Sequence, residues 1–446
     1  MTTFCPCLIG QVFVDFVISP GSAPMMRLGG IMHAARTFWV MGIPFGFAYV
    51  APDYLRLDAE TLAAQYGASQ VRQIGTISRC PNVVIVGEGK ETGTQRYEYL
   101  LREQSQCDLH PEALTEMVAA SDFSDFLIFP GGFPLSSVLE KLSSTAADVH
   151  ADINFVADSL QDLPTLRRKF ASLILSTSSE LFLTKLGADP HRVIQELGPH
   201  SKLVLLKENR GGSRLFRSGE TGWLGVAAQI RPILHSVGVG DCFNSVFVAQ
   251  RHLHHDKAAL AYASFAAAEY ASYFDDSAMK QSVSAVLELP PEDIQNLGGV
   301  QLPWEERRKI NIYLAAPDFD SVDTEPLEAL ADALAYHNFV PRRPVQENGQ
   351  SRPDSTKTEK LRLAEADLGL LGHCQILAAV LLYDDPGTLI EIGIALERQM
   401  PVIVFDPFNR AENLMLTELP VLVSPDLDTV VTEVFIQAAK VLNAKR

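Results

Sequence analysis

The chain has 446 residues, 47% of them hydrophobic and 20% charged, with a formal net charge of −17. That length suggests two or three domains, and the composition leaves ample apolar surface for a core. The acidic balance argues against a nucleic-acid backbone or an anionic membrane as the main partner; it leaves room for a small phosphorylated ligand held by backbone amides and a few basic side chains. The six cysteines are Cys5, Cys7, Cys80, Cys107, Cys242 and Cys374. Only "CPC" is closely spaced, and no second pair completes a zinc site, so they read as reduced thiols of a cytoplasmic protein. The N-terminus has no basic region and meets Asp15 early, unlike a signal peptide, and no apolar run is long enough to span a bilayer.

Taken in chain order, "CLIGQVFVDFVI" reads as a strand, and "LGG" (28–30) as a Gly-rich turn before the helix "IMHAARTFWVMG". Residues 82–100 read as two strands around the polar turn "GEGKETGTQ". "DFLIFPGG", "DVHADINFV", "ASLILST" and "KLVLLKE" are further strands with helical segments between them. "VGVGDCFNSVFVAQRHL" is a Gly-rich turn opening a helix. The tract "RHLHHDK" (251–257) reads as a solvated helix face rather than a metal cluster, because no partner ligands surround it. A Pro-, Gly- and acid-rich break at 288–308 is the expected linker between a domain at 1–287 and one at 309–446. The alternation restarts with strand "KINIYLAA", helix "EPLEALADALAYHN" and strand "FVP"; "RRPVQENGQSRPDSTKTEK" reads as a mobile loop. Helix "LRLAEADLGLLGHC", strand "ILAAVLLY", the segment "DDPGTLIEIGIAL" and strand "PVIVF" follow. Alternating strands and helices predict α/β sheets with helices on both faces.

Two stretches carry chemistry. In "SVGVGDCFNSVFV", Gly238 and Gly240 let backbone amides face inward at a helix N-terminus, which favours an anion. Asp241 stands at the same point, where it could accept a proton from an attacking hydroxyl. In "DDPGTLIEIGIAL", Thr388 and Glu391 match a capping box, and that window alone reads most simply as a helix cap. The sharper reading is an ionised Glu391, stabilised by the helix dipole by about 0.3–1 kcal/mol. At the end of a parallel strand it could attack an anomeric carbon.

The order of residues across 1–285 resembles the PfkB (ribokinase-like) sugar and nucleoside kinases. Asp15 in the first strand, Gly29 and Gly30 before a helix, the paired strands of a β lid, and "HSVGVGD" carry the resemblance. It implies a ribokinase-like α/β domain with Asp241 as catalytic base and Gly238 and Gly240 as an anion hole. Asp15, Gly29 and Gly30 would bind the sugar, ATP and Mg²⁺ would serve as cofactors, and Glu180 would act indirectly on the metal. The chain departs from that pattern at His33, Thr177, His235 and "KEN" (207–209).

Across 309–446 the order resembles the nucleoside 2-deoxyribosyltransferase family. The resemblance rests on Tyr313 in "INIYLAA", Asp367 in "AEADLGLL", "DPGTLIEIG" with Asp385 and Glu391, and Asn413 in "ENLM". It implies a smaller Rossmann-like (flavodoxin-like) parallel-sheet domain that requires no cofactor. Glu391 would be the nucleophile, Asp367 and Asp385 would hold the base and manage its proton, Tyr313 would orient Glu391, and Asn413 would contact the sugar. Gln375 departs from the family and is expected to be structural. The expected partners are small-molecule nucleosides, nucleotides or sugars, with no nucleic acid and no membrane, in a homo-oligomer. Three readings follow: N-glycosidic cleavage or base exchange coupled to the kinase-like domain, an active kinase with a nucleotide-sensing C-terminal domain, and a non-catalytic ligand-gated protein. Three retained carboxylates count against the last.

Overall fold

In the computed structural model, residues 4–18, 23–87, 90–93, 97–154, 159–319, 321–352 and 354–444 are described. The chain divides into two compact units, Met1–Lys90 with Gln95–Gln301, and Glu91–Thr94 with Leu302–Arg446. The stretch 288–308 carries the helices Pro291–Asn296 and Trp304–Arg307, and Val300 bridges to Ala228.

The first unit is built on a 13-stranded sheet. Its main path runs Leu224–Val226, Ser213–Arg217, Ser201–Lys207, Phe170–Ser176, Asp148–Asp152, Asp125–Phe129, Pro6–Val17, Phe45–Ala51, Ala68–Ser78, Gln106–Leu109. The central pairs are parallel and the edge pairs antiparallel. Strand Pro6–Val17 serves two surfaces. Its first half lies in the main sheet, while Val12–Val17 pairs antiparallel with Met25–Gly30 and, over Val14–Val17, parallel with Val83–Val86. Val83–Val86 pairs in turn with Tyr97–Tyr99, so the two strands expected around 82–100 form, and part of their polar turn lies outside the described residues. Leu28–Gly30, expected as a turn, ends a strand instead, and helix Ile31–Met41 starts directly after it.

Helices Ile31–Met41, Val239–Arg251 and Asp256–Ala271 bury Phe38, Phe247, Leu260 and Tyr262 against Phe45, Phe47 and Tyr49 of the sheet. The stretch 251–257, expected as a solvated helix face, is exposed at His252, Leu253, His255 and Lys257 but forms a joint between two helices rather than one helix face. The first of these two helices ends at Arg251 and the next begins at Asp256. In the joint, His252 bonds to Asp125 at 3.2 Å, and the His255 ring accepts from Ala258 N as the N-cap.

The second unit is a five-stranded, all-parallel sheet. The strand order is Val340–Arg342, Asn311–Ala315, Ile376–Val380, Val402–Phe405, Leu422–Ser424. Numbered within the unit, that order is 2-1-3-4-5, whose reversal falls between Asn311–Ala315 and Ile376–Val380. In open parallel sheets, ligands bind outside the carboxyl ends of the strands at such a point. The segment 342–360, expected as a loop, contains helix Pro344–Asn348 and the start of helix Lys357–His373, which is opened by a Thr356–Glu359 capping box. No helix of the described residues is long and apolar enough to cross a membrane. All six cysteines are free thiols.

Candidate active sites

At the reversal point of the second unit, Tyr313 rises from the first strand, fully buried. Its hydroxyl donates to Glu391 Oε1 at 2.5 Å. Glu391 lies in helix Pro386–Glu397, which follows the neighbouring strand. The capping-box expectation for Thr388 and Glu391 is corrected here. Pro386 occupies the first helical position, and Asp385 is the N-cap, accepting from Thr388 N at 2.7 Å and Thr388 Oγ1 at 2.8 Å. The helix thus starts earlier than a cap at Thr388 requires, and Glu391 falls in its second turn, where the terminal dipole is weaker. Burial pushes the Glu391 carboxyl up to about 7; the Tyr313 hydroxyl opposes this, and Asp367 and Asp385 add to it. The expected dipole stabilisation of the anion is therefore outweighed by desolvation. The same burial, with Glu391 opposite, raises the Tyr313 phenol and keeps it a donor.

Asp367 projects from helix Lys357–His373 and accepts from Asn348 Nδ2 at 2.8 Å on Oδ1. Its charge acts on both Glu391 and Tyr313. Asn413 is exposed and caps helix Leu414–Glu418 by accepting from Met415 N at 2.9 Å. Among the described residues no hydrogen bond joins Asn413 to the three carboxylates. Gln375 accepts from Asn311 N at 2.8 Å and donates to the His373 carbonyl, tying two strand starts together. Asp406, which sequence reasoning passed over, is buried and accepts from Arg410 N and Ala411 N, both at 2.8 Å. It shapes the turn leading to Asn413.

In the first unit, Asp15 is buried in the strand half that leaves the main sheet, and its Oδ2 accepts from His33 Nε2 at 2.8 Å. Burial lowers the proton affinity of His33. A neutral ring that donates through Nε2 must accept through Nδ1, which the Tyr270 hydroxyl supplies at 3.0 Å. Arg27 stands 4.0 Å from the same carboxylate. Gly29 is required here, because a Cβ would lie 2.0 Å from Asp15 Oδ2.

Gly238 caps helix Val239–Arg251 at φ 81°, and a Cβ on it would fall 2.3 Å from the His33 ring. Beside Gly240 lies Lys207 Nζ, 3.2 Å from where a Cβ would stand. Lys207 donates to Asp152 at 3.1 Å and to Asn244 at 3.0 Å, and Asn244 Nδ2 also donates to Asp152. Burial pushes Asp241 up to about 8, with Asp152 adding to this and Lys207 opposing it. Lys207, Asp152 and Asn244 were not singled out from the sequence as site residues. The available signal was a lysine ending an otherwise apolar strand.

The amides around Gly240, with the Lys207 ammonium, suit a phosphoryl group. The metal side is less formed: Glu180 is exposed ahead of the turn Leu181–Lys185, and the buried Thr177 Oγ1 finds no partner among the described residues. Among the described residues no group of three or more His, Cys, Asp or Glu is placed to hold a metal. His235 is a core residue, its Nε2 donating to the Tyr273 carbonyl at 2.9 Å and its ring stacked on Phe274.

The chain thus contains two α/β units, the second bearing a Tyr–Glu pair at the reversal point of a parallel sheet. Residues 312–421 of that unit match the family model described as nucleoside 2-deoxyribosyltransferase. No curated protein matches the chain by sequence. Among solved structures, the chain is similar to phosphofructokinase-2 from Escherichia coli in complex with substrates and products, at 13% identity and TM-score 0.48, covering 64% of this chain and 100% of that one. It is similar to ribokinase from Thermotoga maritima at 16% identity and TM-score 0.44, again over 64% and 100%. The Arabidopsis thaliana ribokinase complexed with ribose and ATP aligns at 15% identity and TM-score 0.44, over 64% and 99%.

Proposed function

We propose that the second unit cleaves or exchanges the N-glycosidic bond of a (deoxy)nucleoside or its 5′-monophosphate, with Glu391 as nucleophile. The observation that carries this reading is the Tyr313–Glu391 hydrogen bond, set at the reversal point with Asp367 and Asp385 acting on the same carboxyl. With Oε1 held by Tyr313, Oε2 is the oxygen available to attack C1′. The ester bond forms as the C1′–N bond breaks, and the electron pair leaves with the base. A proton then reaches the departing base nitrogen through Asp367 or Asp385. Asp385 is at the same time the helix cap, so its geometry is set by Thr388. Water arriving at C1′ regenerates Glu391 and gives hydrolysis; a second base gives transfer. This reading requires no cofactor. Asn413 enters the reading as a sugar contact.

The test is a panel of deoxynucleosides and their monophosphates assayed for free base, with and without a second base. Glu391→Ala should abolish release. Base released as fast as by the wild type would remove Glu391 from the nucleophile role.

A second reading is favoured by one cluster: phosphoryl transfer in the first unit, with Asp241 accepting the proton of a sugar or nucleoside hydroxyl. The Gly238–Asp241 amides and Lys207 would hold the phosphoryl group, with Asp15 on the acceptor. ATP with Mg²⁺ would supply that group, and Glu180 would serve the metal side. In this reading the second unit senses a nucleotide. ATP consumption with ribose and nucleosides tests it: turnover that disappears in Asp241→Asn supports it, and no turnover leaves the first unit a binding domain.

A further inference from the structure

Helix Pro344–Asn348 lies in a stretch whose sequence reads as a loop, yet it is firmly anchored. Arg343, immediately before it, is buried and donates to two carboxylates at once. Its Nε and Nη2 reach Asp318 at 2.9 and 2.7 Å, and its Nη1 and Nη2 reach Glu328 at 2.7 and 2.8 Å. Asp318 lies three residues beyond the end of the first strand and Glu328 sits in helix Glu325–Tyr336, so the guanidinium is tied both to the segment leaving that strand and to the helix. A planar fork held on two carboxylates fixes direction as well as position. The anchored turn ends at Asn348, whose Nδ2 donates to Asp367 Oδ1 at 2.8 Å. Asp367 in turn acts electrostatically on both members of the Tyr313–Glu391 pair.

We propose that Asn348 is a positioning residue of the second unit's reaction: held by the Arg343 fork, it occupies Asp367 Oδ1 and leaves Oδ2 facing the departing base. This rests on the reading of Glu391 as a glycosyl-accepting nucleophile. Asn348 touches neither Glu391 nor the reacting carbon in that reading. Its effect passes through the orientation of one carboxylate, so it should bear on the rate of bond cleavage rather than on ground-state binding. An asparagine suits the position because its amide nitrogen can only donate. A carboxylate there would place two acids within hydrogen-bond distance, where one would retain a proton.

The experiment measures kcat, KM and the pH profile of base release for wild type, Asn348→Ala, Asn348→Asp and Glu391→Ala, using whichever deoxynucleoside or deoxynucleoside monophosphate the wild-type protein cleaves. In Asn348→Ala, kcat should fall about tenfold or more with KM changed less than about threefold, the loss of one hydrogen bond to a charged group. In Asn348→Asp the pH profile should move to higher pH. Arg343→Lys, which loses the fork, should lower kcat in the wild type and add little in the Asn348→Ala background. If Asn348→Ala and Asn348→Asp keep both rate and profile while Glu391→Ala is inactive, the positioning role is wrong and the nucleophile reading stands. If Glu391→Ala remains active, or no substrate on the panel is cleaved, both fall together. Thermal unfolding of each variant separates these outcomes from loss of fold: an Asn348→Ala protein that melts with the wild type and loses only KM also overturns the proposal.

Discussion

The Tyr313 hydroxyl donates to Glu391 Oε1 at 2.5 Å although the residues are 78 positions apart. Strand Asn311–Ala315, next to the central strand of the sheet, fixes the tyrosine, and the helix after that central strand fixes the glutamate. The bond opposes the desolvation that pushes Glu391 up to about 7.

Tyr313→Phe should raise the Glu391 carboxyl further, since it removes the influence that lowers it. A nucleophile works as the anion, so the alkaline-rising limb of kcat/KM against pH should move to higher pH. At pH 7 the rate should drop by ten- to a hundredfold, from a hydrogen bond to a charged group of about 1.5–3 kcal/mol. An unchanged limb would mean that Glu391 is not the group titrating.

Glu391 should also weaken the second unit as pH rises. Its ordinary value of 4.5 goes to about 7 on folding, so the folded state holds the proton more tightly. Below 4.5 both states are protonated and nothing is lost; stability falls as pH rises through 7. Glu391→Gln, which cannot ionise, should match the wild type at acid pH and exceed it at pH 8 by about 2 kcal/mol, allowing for partial exposure. Urea denaturation at the two pH values checks the sign. Asp241, which goes from 3.8 to about 8, should behave alike in the first unit when changed to Asn.

Asp385→Ala should separate capping from chemistry. The cap bonds to Thr388 N and Oγ1 are worth about 1–2 kcal/mol of stability. Asp385→Ser retains a cap but has no carboxylate to move a proton. Equal melting temperatures for Asp385→Ser and wild type, with base release reduced at least tenfold in the variant, is the expected result. Full activity in Asp385→Ser would leave Asp385 a cap alone.

Lys207→Met should destabilise the first unit by about 3 kcal/mol, because Asp152 and Asp241 lose the buried cation beside them. Adding Asp152→Asn should recover much of that loss. Denaturation of the single and double variants measures it.

Much of the architecture was legible from periodicity. Strands "CLIGQVFVDFVI", "KLVLLKE" and "ILAAVLLY" are apolar runs of strand length, and they appear as Pro6–Val17, Ser201–Lys207 and Ile376–Val380. Local rules failed where two local signals competed. Thr388-x-x-Glu391 matches a capping box, but Pro386 at the first helical position and Asp385 before it make the earlier and stronger start. "LGG" has turn composition, yet Leu28–Gly30 pairs with Val12–Val14, because Gly29 is needed where the strand passes against Asp15. Polar, Pro-bearing 342–360 reads as a loop until the Arg343 fork pins it.

Composition and local order set the alternation of strands and helices, the acidic character that disfavours polyanionic partners, and the residues able to do acid–base and nucleophilic chemistry. Each is a property of neighbours along the chain or of composition. Folding sets which of them share an environment. It places Tyr313 on Glu391, Asn348 on Asp367, His33 between Asp15 and Gly238, and Lys207 beside Asp152 and Gly240. It also pushes the Glu391 and Asp241 carboxyls up toward neutral pH, because desolvation depends on burial among residues distant in the chain, and no local pattern records it.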